Sequence, residues 1–336
     1  MDNLRRFLFT LSAVVFLALC IGGYVTALKY DPKEIQQEPG NPTPLPPAGN
    51  LYDPLRYELQ DYYDGNVLYI LAPSQKREAV NFLVSKYSPV TQELSFLLIP
   101  ENLKTVDHET GNKVISLGKY FSQYGAERTA KYLTSLLGID IPCYTTFTYD
   151  SLSDFISGIN SIKCELPYPI KFIDTETSDI NYSTGINYPQ GSSTISGSSA
   201  INLIRFIGDT GAYLSSDIVE YYDDADPLEI HASMSDDIVY FLLSGFVNHT
   251  ITADNQENFN EFFAPFLESY DTNMTEETLE GMCYNLGKTD PSQVKYYLVT
   301  GNFQSNREFY LIYNNMLTDL KTGKDIPASQ VLDYLF

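Results

Sequence analysis

The sequence is poor in residues that commonly bind metals or act as nucleophiles. Its 336 residues include no tryptophan, three histidines and four cysteines. His108, His231 and His249 are too widely spaced to suggest a metal-binding triad. No glycine-rich phosphate loop and no G-x-S-x-G turn occurs. These absences argue against P-loop nucleotide-binding proteins and α/β-hydrolases.

Basic residues are also scarce. The chain has 21 Lys and Arg against 43 Asp and Glu, a net charge of −22 at pH 7. Such a surface repels phosphate backbones, so we expect no nucleic-acid partner, and it is poorly suited to attracting a pyrophosphate. The acidic run of Asp223, Asp224 and Asp226 is interpreted as a solvated loop rather than a Ca²⁺ site, because the ordered EF-hand spacing is absent.

Three cysteines, Cys143, Cys164 and Cys283, follow the N-terminal region. Cys143 and Cys164 fall in or beside neighbouring predicted strands, so a disulfide between them is one interpretation. However, three is an odd number, and the spacing matches no metal motif. Buried thiols are therefore the favoured interpretation.

The N-terminus is typical of a membrane anchor. Arg5 and Arg6 precede Phe7–Ala27, 21 residues without a charge, which is long enough to cross a bilayer as a helix. The basic flank predicts a single-pass protein of the cell membrane, with a cytoplasmic N-terminus and an extracellular remainder. Two other interpretations stay open. Cys20 could be lipidated, or Val25-Thr26-Ala27 could be a signal-peptidase site.

Composition divides the rest of the chain. Residues 31–54 are rich in proline and predict a semi-rigid extracellular stalk after the anchor at 1–30. Residues 55–250 are expected to form an α/β core. Residues 251–336 are expected to add helices and strands to the same domain. At 43% hydrophobic residues, the chain can bury a sizeable core.

Apolar runs bounded by turn residues predict strands, and apolar residues at helical spacing predict helices. The predicted strands are Val67–Leu71, Ala79–Val84, Glu93–Ile99, Tyr144–Tyr149, Ile162–Leu166, Lys295–Thr300 and Phe309–Tyr313. The predicted helices are Lys113–Gln123, Ala126–Leu137, one capped by Ser151 or Ser153 and ending at Ile159, Ser198–Ile207 (or a helix running into a strand), Asp236–Val247, Phe259–Tyr270 and Glu276–Leu286. Asp174–Ser199 is expected to be a long loop or an irregular hairpin. The alternation of the two types predicts a three-layer α-β-α sandwich with a central mixed sheet.

The stretch from Tyr124 to Ile170 carries the most specific pattern. A Gly125-Ala126 turn opens a helix that ends in Leu136-Leu137-Gly138-Ile139-Asp140-Ile141, and a strand, a helix and a second strand follow. This resembles the LytR-CpsA-Psr family of bacterial cell-envelope proteins, in which a Gly-Gly-Ala turn opens the helix. Tyr124 stands where the family has the first glycine. Three further segments, Ile195–Arg205, Thr272–Thr275 and Tyr296–Asn315, are also similar, so the resemblance covers most of Asn66 to Asn315.

The resemblance implies a reaction that moves a polymer phosphate from undecaprenyl pyrophosphate to peptidoglycan. Arginines would neutralise the pyrophosphate, aspartates would hold Mg²⁺, and an apolar tunnel would hold the lipid. In this chain the corresponding positions are mostly replaced. Residues that depart from the family's charged pattern are Ser74, Ala79, Glu101, Asn102 and Ile207. The family's arginine-containing Gly-Arg-x-x-Arg-Gln segment corresponds loosely to His231–Asp237, which has none.

These replacements predict a divergent, non-catalytic member of the family that acts in cell-wall glycopolymer assembly. It would bind a lipid-linked glycan, peptidoglycan or a protein partner, and no cofactor is expected. One alternative is an active phosphotransferase with a rearranged site, in which Arg205, Asp209, Arg77 and Glu78 carry the reaction together with Mg²⁺. A second alternative is a structural or signalling module of the cell surface.

Overall fold

A seven-stranded mixed sheet forms the centre of the structure, in the strand order β13-β12-β11-β3-β2-β1-β6. The computed structural model describes residues 63–75, 77–107, 109–158, 161–171, 187–208, 216–222, 227–250, 263, 266–267, 269–305 and 309–336. These residues all lie within one compact unit, Pro54–Phe336.

The bounds of the elements follow the chain. The strands are β1 (Val67–Leu71), β2 (Asn81–Ser88), β3 (Glu93–Ile99), β4 (Lys104–Asp107), β5 (Lys113–Ser116), β6 (Cys143–Phe147), β7 (Ile162–Leu166), β8 (Ile170–Lys171), β9 (Asn187–Tyr188), β10 (Gly191–Ile195), β11 (Lys295–Ser305), β12 (Phe309–Asp319) and β13 (Lys324–Pro327). The helices are α1 (Leu117–Leu137), α2 (Tyr149–Gly158), α3 (Gly197–Gly208), α4 (Ser216–Tyr221), α5 (Pro227–Thr250), α6 (Glu276–Lys288) and α7 (Ser329–Leu335).

The sheet is covered on both faces, which explains the unbroken apolar sequence of β1. Successive strand residues point to opposite faces. Val67 and Leu71 pack into the cluster that contains α2, α3, α5 and α6, whereas Leu68 and Ile70 pack against α1 and α7. Strand β1 pairs with β6 in parallel and with β2 in antiparallel. The prediction of an α/β fold with a central mixed sheet is confirmed.

Helix α1 is broken at Gly125, as the turn in the sequence predicts. Gly125 has φ 76°, a value that favours glycine, and the second half of the helix begins at Ala126. The Ala126 amide donates to Asp271 Oδ2 at 3.1 Å, so a distant carboxylate caps that half. Gly138 ends the helix with φ 72°. Both halves are thus bounded by glycines that adopt positive φ.

Several predicted boundaries were wrong. Lys113–Gln123 is not all helix, because Val114 and Ile115 pair with β4 and α1 starts at Leu117. Neither predicted serine alone caps α2. Instead Thr148 Oγ1 accepts from Ser151 N at 3.2 Å and Ser151 Oγ accepts from Thr148 N at 2.9 Å, the reciprocal pattern of a capping box.

Other outcomes concern the second half of the chain. Helix α5 starts at Pro227, nine residues before the predicted Asp236. The predicted cap of α6 is confirmed, since Thr275 Oγ1 accepts from Thr278 N at 3.2 Å. Within 174–199 the structure describes β9 and β10, so part of this stretch is strand. Most of the predicted helix Phe259–Tyr270 lies outside the described residues.

The three cysteines are free and buried, so the thiol interpretation is confirmed. Cys143 lies on β6 and Cys164 on β7, and β7 pairs with β10 rather than with the central sheet. The expectation that these strands are neighbours was therefore wrong. Burial raises the pKa of Cys143 to about 11 and those of Cys164 and Cys283 to about 12, so all three are unreactive at neutral pH.

Within the described part of the chain, no helix has the length and apolar character needed to cross a membrane. The predicted span Phe7–Ala27, the proline-rich segment and the acidic run at Asp223–Asp226 lie outside the described residues.

We expect the contact between α1 and the sheet to dominate stability on that face. Leu133 is fully buried there, so Leu133→Ala should lower the free energy of unfolding by about 2–5 kcal/mol. Leu136→Ala, the same change at a half-buried site of the same helix, is the matched control and should cost clearly less. Urea unfolding of both variants measures the difference, and equal losses would contradict this account of the core.

Candidate functional site

An apolar cavity of about 220 Å³ lies between the sheet and the helices α2, α3, α5 and α6. Its wall is aliphatic and aromatic almost throughout. Representative wall residues from different elements are Leu71, Phe147, Phe155, Ile204, Val239 and Met282. Packing one helical layer on this face thus leaves an internal space rather than a closed core.

Helix α5 fixes the direction of the cavity. Val247, near its C-terminal end, packs with Tyr87 and Leu94, at the end of β2 and the start of β3. In the N-terminal half of α5, Asp236 lies close enough to Glu101 for their charges to interact. Glu101 lies just past the end of β3. Helix α5 therefore runs antiparallel to β3 along the sheet. Its C-terminal end packs on apolar residues at the start of β3, and its carboxylates lie near the end of β3.

Glu101 is held in place by backbone hydrogen bonds between three segments. Gly118 N donates to Glu101 O at 3.0 Å, and Ala79 N donates to Gly118 O at 3.3 Å. A Cβ atom at Gly118 would lie 2.4 Å from Ala79 O, so only glycine allows this approach. Burial of the carboxyl group, and secondarily the charge of Glu78, raise the pKa of Glu101 to about 7. Taken as a whole residue, Glu101 is nevertheless exposed to solvent.

Two carboxylates of α5 extend this acidic group. Burial raises the pKa of Asp237 to about 6, although Tyr222 Oη donates to Asp237 Oδ2 at 2.5 Å and opposes the rise. Burial, followed by the charges of Asp237 and Glu101, raises the pKa of Asp236 well above its ordinary value. Tyr168, 2% exposed, joins the chain through a 2.9 Å hydroxyl contact with Tyr222. The three carboxyl groups therefore keep their protons to a higher pH than exposed carboxyl groups do.

The residues proposed for catalysis are only partly described. Arg77 and Glu78 are exposed in the segment between β1 and β2. Arg205 is exposed on α3, with its guanidinium carbon 6.0 Å from the ring centroid of Tyr149. Asp209 lies outside the described residues. The structure thus brings Glu78 to Glu101 but shows no contact between Arg205 and this group.

Four of the five positions that depart from the family pattern, Ser74, Ala79, Glu101 and Asn102, follow the ends of β1 and β3. Ser74 is exposed after β1, and Ala79 is fully buried. The Asn102 carbonyl accepts from Leu311 N at 3.1 Å, which ties it to β12. Ile207 lies within α3.

The geometry does not fit the Mg²⁺ that the resemblance implies. Among the described residues, no group of three or more His, Cys, Asp or Glu is arranged to hold a metal. Carboxylates that bind Mg²⁺ are ionised, whereas burial raises the pKa values of Glu101 and Asp236 and so makes ionisation of these two carboxyl groups more costly. We therefore derive no metal-dependent step from these residues.

Sequence reasoning did not identify the polar residues of the cavity. Asn81, Ser85, Tyr69 and Asn285 lie in its wall among the apolar side chains. The signal that could have indicated Asn285 is its position one turn after Met282 on the apolar face of α6. Asp236 and Asp237 were recognised only as the counterpart of an arginine-containing segment.

Comparisons with known proteins agree with this fold. Residues 76–217 match the model of the LytR_cpsA_psr family. The Bacillus subtilis (strain 168) protein named polyisoprenyl-teichoic acid–peptidoglycan teichoic acid transferase TagV is 24% identical over 133 residues, 39% of this chain and 33% of the relative. The matched region thus spans about a third of that relative's length.

Solved structures extend the match in three dimensions. The crystal structure of B. subtilis TagV has a TM-score of 0.57 at 14% identity, covering 74% of this chain and 91% of that one. A protein described as a putative transcription regulator from Eubacterium siraeum has a TM-score of 0.53 at 16% identity, covering 75% and 87%. TagT bound to LI-WTA has a TM-score of 0.52 at 15% identity, covering 74% and 84%. At these identities the likeness establishes a shared fold.

The carboxyl group of Asp237 predicts a specific pH dependence of stability. Because its pKa is raised in the folded state, the native protein retains a proton that the unfolded chain releases. Stability should therefore fall as the pH rises from about 4 to about 7. Asp237→Asn should flatten the fall in Tm between about pH 4 and pH 7. Asp333→Asn, which removes an equal charge at an exposed site, should leave it unchanged. A wild-type slope in Asp237→Asn, measured by calorimetry, would refute the assignment.

Proposed function

The chain belongs to the LytR-CpsA-Psr family, and on this premise we propose that it is a non-catalytic member that binds an apolar chain in its internal cavity. The supporting observation is a cavity whose described wall is almost wholly apolar and contains no arginine, whereas the carboxyl groups of Glu101 and Asp236 lie near each other outside that wall, past the end of β3. The fold keeps a place for a hydrocarbon chain, while its charged end lacks the groups that bind pyrophosphate.

A cavity of about 220 Å³ is large enough for a ligand. An engineered cavity of about 150 Å³ in another protein holds benzene. The curated relative is named for a polyisoprenyl-linked polymer, and a polyisoprenyl chain is a hydrocarbon of the kind this wall suits. We propose that such a chain enters only in part, because a long one would exceed the volume of this partly open cavity.

The acidic end disfavours transfer of a phosphate. Each of these carboxyl groups repels a phosphate once it is ionised, because two unit charges of like sign about 4 Å apart repel by about 4 kcal/mol at an effective dielectric constant of about 20. The described residues near Glu101, namely Glu78 and Asp236, supply no positive charge to offset this. One observation favours the phosphotransferase alternative, since Arg205 follows Ile204, a residue of the cavity wall. The purely structural alternative leaves the cavity without a use.

We further propose that the protein works in cell-envelope assembly at the outer face of the cell membrane. The support is the uncharged stretch Phe7–Ala27 after Arg5 and Arg6, together with membership of a family whose curated relative transfers teichoic acid to peptidoglycan by its name. At that location, the solvent-exposed surface of the domain would contact peptidoglycan or another envelope glycan, which we propose as a partner.

Binding of an apolar probe tests the function. We expect a fragment of residues 54–336 to bind the neutral fluorophore N-phenyl-1-naphthylamine in a saturable equilibrium titration. Circular dichroism checks that the fragment is folded. Leu243 lines the cavity, so Leu243→Trp should fill space and weaken binding by about tenfold or more. Val90→Trp adds the same side chain at a site that is 87% exposed and should bind like the wild type.

The same fragment should release no phosphate from a polyprenyl pyrophosphate when Mg²⁺ is supplied. Turnover that Arg205→Ala abolishes would establish the phosphotransferase instead. Unimpaired probe binding by a folded Leu243→Trp variant would show that the cavity is not the binding site.

Membrane topology is testable in intact cells whose wall has been removed. External protease should digest the folded domain and leave an N-terminal tag protected, with the uncleaved chain in the membrane fraction. Recovery of the mature domain in the medium, without its first residues, would favour a cleaved signal. Loss of membrane attachment in Cys20→Ala would favour lipidation.

A further inference from the structure

The cavity contains polar groups that a purely apolar ligand leaves unsatisfied. Asn285 lies in its wall and is only 4% exposed. Its Oδ1 atom has no hydrogen-bond partner among the described residues. Buried polar groups in folded proteins are almost always paired, so an unpaired buried acceptor beside an internal space needs an explanation.

The orientation of this amide is determined by its surroundings. Asn285 Nδ2 donates to the backbone carbonyl of Tyr63 at 2.6 Å. A flipped amide would place Oδ1 against that carbonyl, two acceptors in contact. Nδ2 is therefore committed to Tyr63, and Oδ1 is the acceptor that remains available.

Hydroxyl groups lie on the facing strands. Tyr69 Oη and Ser85 Oγ are 3.1 Å apart, and Tyr69 Oη lies 4.0 Å from Met282 Sδ. Met282 and Asn285 are three residues apart on α6 and so share a face. Burial raises the pKa of Tyr69, which keeps its hydroxyl neutral and able to donate. This end of the cavity thus offers one free acceptor together with two hydroxyls.

We infer that the cavity selects a ligand whose apolar body ends in a hydroxyl group, an aliphatic or terpenoid alcohol, with that hydroxyl at the Asn285 end. A hydroxyl both donates and accepts, so it can donate to Asn285 Oδ1 and accept from the Tyr69–Ser85 pair. An ammonium group would donate too, but an ion buried in this apolar wall would lose its hydration. The inference rests on the proposed function and adds the chemical class and the direction of the ligand.

A second unpaired acceptor, Asn81 Oδ1, also lies in the wall. Asn81 pairs with Leu71 at the other end of β1 and β2 and is only half-buried. That end adjoins the segment leading to Glu78, which solvent reaches. Water can therefore reach and pair with Asn81 Oδ1 more easily than with Asn285 Oδ1. Asn285 is the acceptor that needs a ligand donor, and a change at Asn81 is the control for a change at Asn285.

The test uses two isomers that differ in the donor alone. Calorimetry on the full chain in phosphatidylcholine nanodiscs, with empty nanodiscs subtracted, should show 1-octanol binding about tenfold more tightly than 1-methoxyheptane, which has the same atoms without an O–H donor. Asn285→Leu should remove the preference by weakening only the alcohol. Asn81→Leu should retain it. Because Asn285→Leu also removes the bond to Tyr63, Ser85→Ala serves as a second variant that leaves that bond intact. Both isomers can accept a hydrogen bond from the Tyr69–Ser85 pair, so Ser85→Ala should weaken both and retain the preference for the alcohol.

The outcomes distinguish a failure of the hydroxyl inference from a failure of the proposed function. Equal binding of both isomers to the wild type would overturn the hydroxyl inference and leave the apolar-chain function standing. A preference lost in Asn81→Leu and kept in Asn285→Leu would also overturn it, because the ligand would then be reversed. Binding of neither isomer would overturn the inference together with the proposed function.

Discussion

The close backbone contact at Gly118 is the constraint on which the acidic end of the site depends. Three segments meet there, since Gly118 hydrogen-bonds to Glu101 on one side and Ala79 on the other. These bonds tie the start of α1 to the link between β1 and β2 and to the end of β3. The carboxyl groups of Glu78 and Glu101 are consequently close although 23 positions separate them in the sequence. Their proximity is a product of backbone geometry, and neither side chain is needed to create it.

That constraint explains how a shared fold can accompany different chemistry at its site. The backbone contacts at Gly118 and Gly125 and the two-sided apolar strand β1 determine the scaffold. Side chains such as Glu101 project from it without contributing to those contacts. Replacing an arginine by a glutamate there changes the charge presented to a ligand and leaves the sheet intact. Similar folds at 14–16% identity are therefore compatible with a changed reaction.

The sequence predicted the scaffold better than the site, for physical reasons. Apolar periodicity marks buried strands and helices directly, so β1, β3 and the second half of α1 appear where expected. The helix predicted over Lys113–Gln123 failed at its start because Val114 and Ile115 gain a strand partner in β4, a tertiary contact that local propensity does not include. Asp236 and Asp237 were considered only as part of a segment that lacks the family's arginines, and only the path of α5 along the sheet brings Asp236 to Glu101.

The two ends of the cavity differ in a way that restricts the ligand. Past the end of β3 the carboxyl groups keep their protons to a higher pH than usual, since burial raises the pKa values of Glu101 and Asp237 to about 7 and about 6. An anion placed there would raise those values further, so anion binding and carboxyl ionisation oppose each other. At the far end, Asn285 and the Tyr69–Ser85 pair are neutral and hydrogen-bonding. A neutral amphiphile avoids repulsion from the carboxyl groups and can hydrogen-bond at the Asn285 end. A pyrophosphate-bearing lipid would make favourable contacts only with the apolar wall between the two ends.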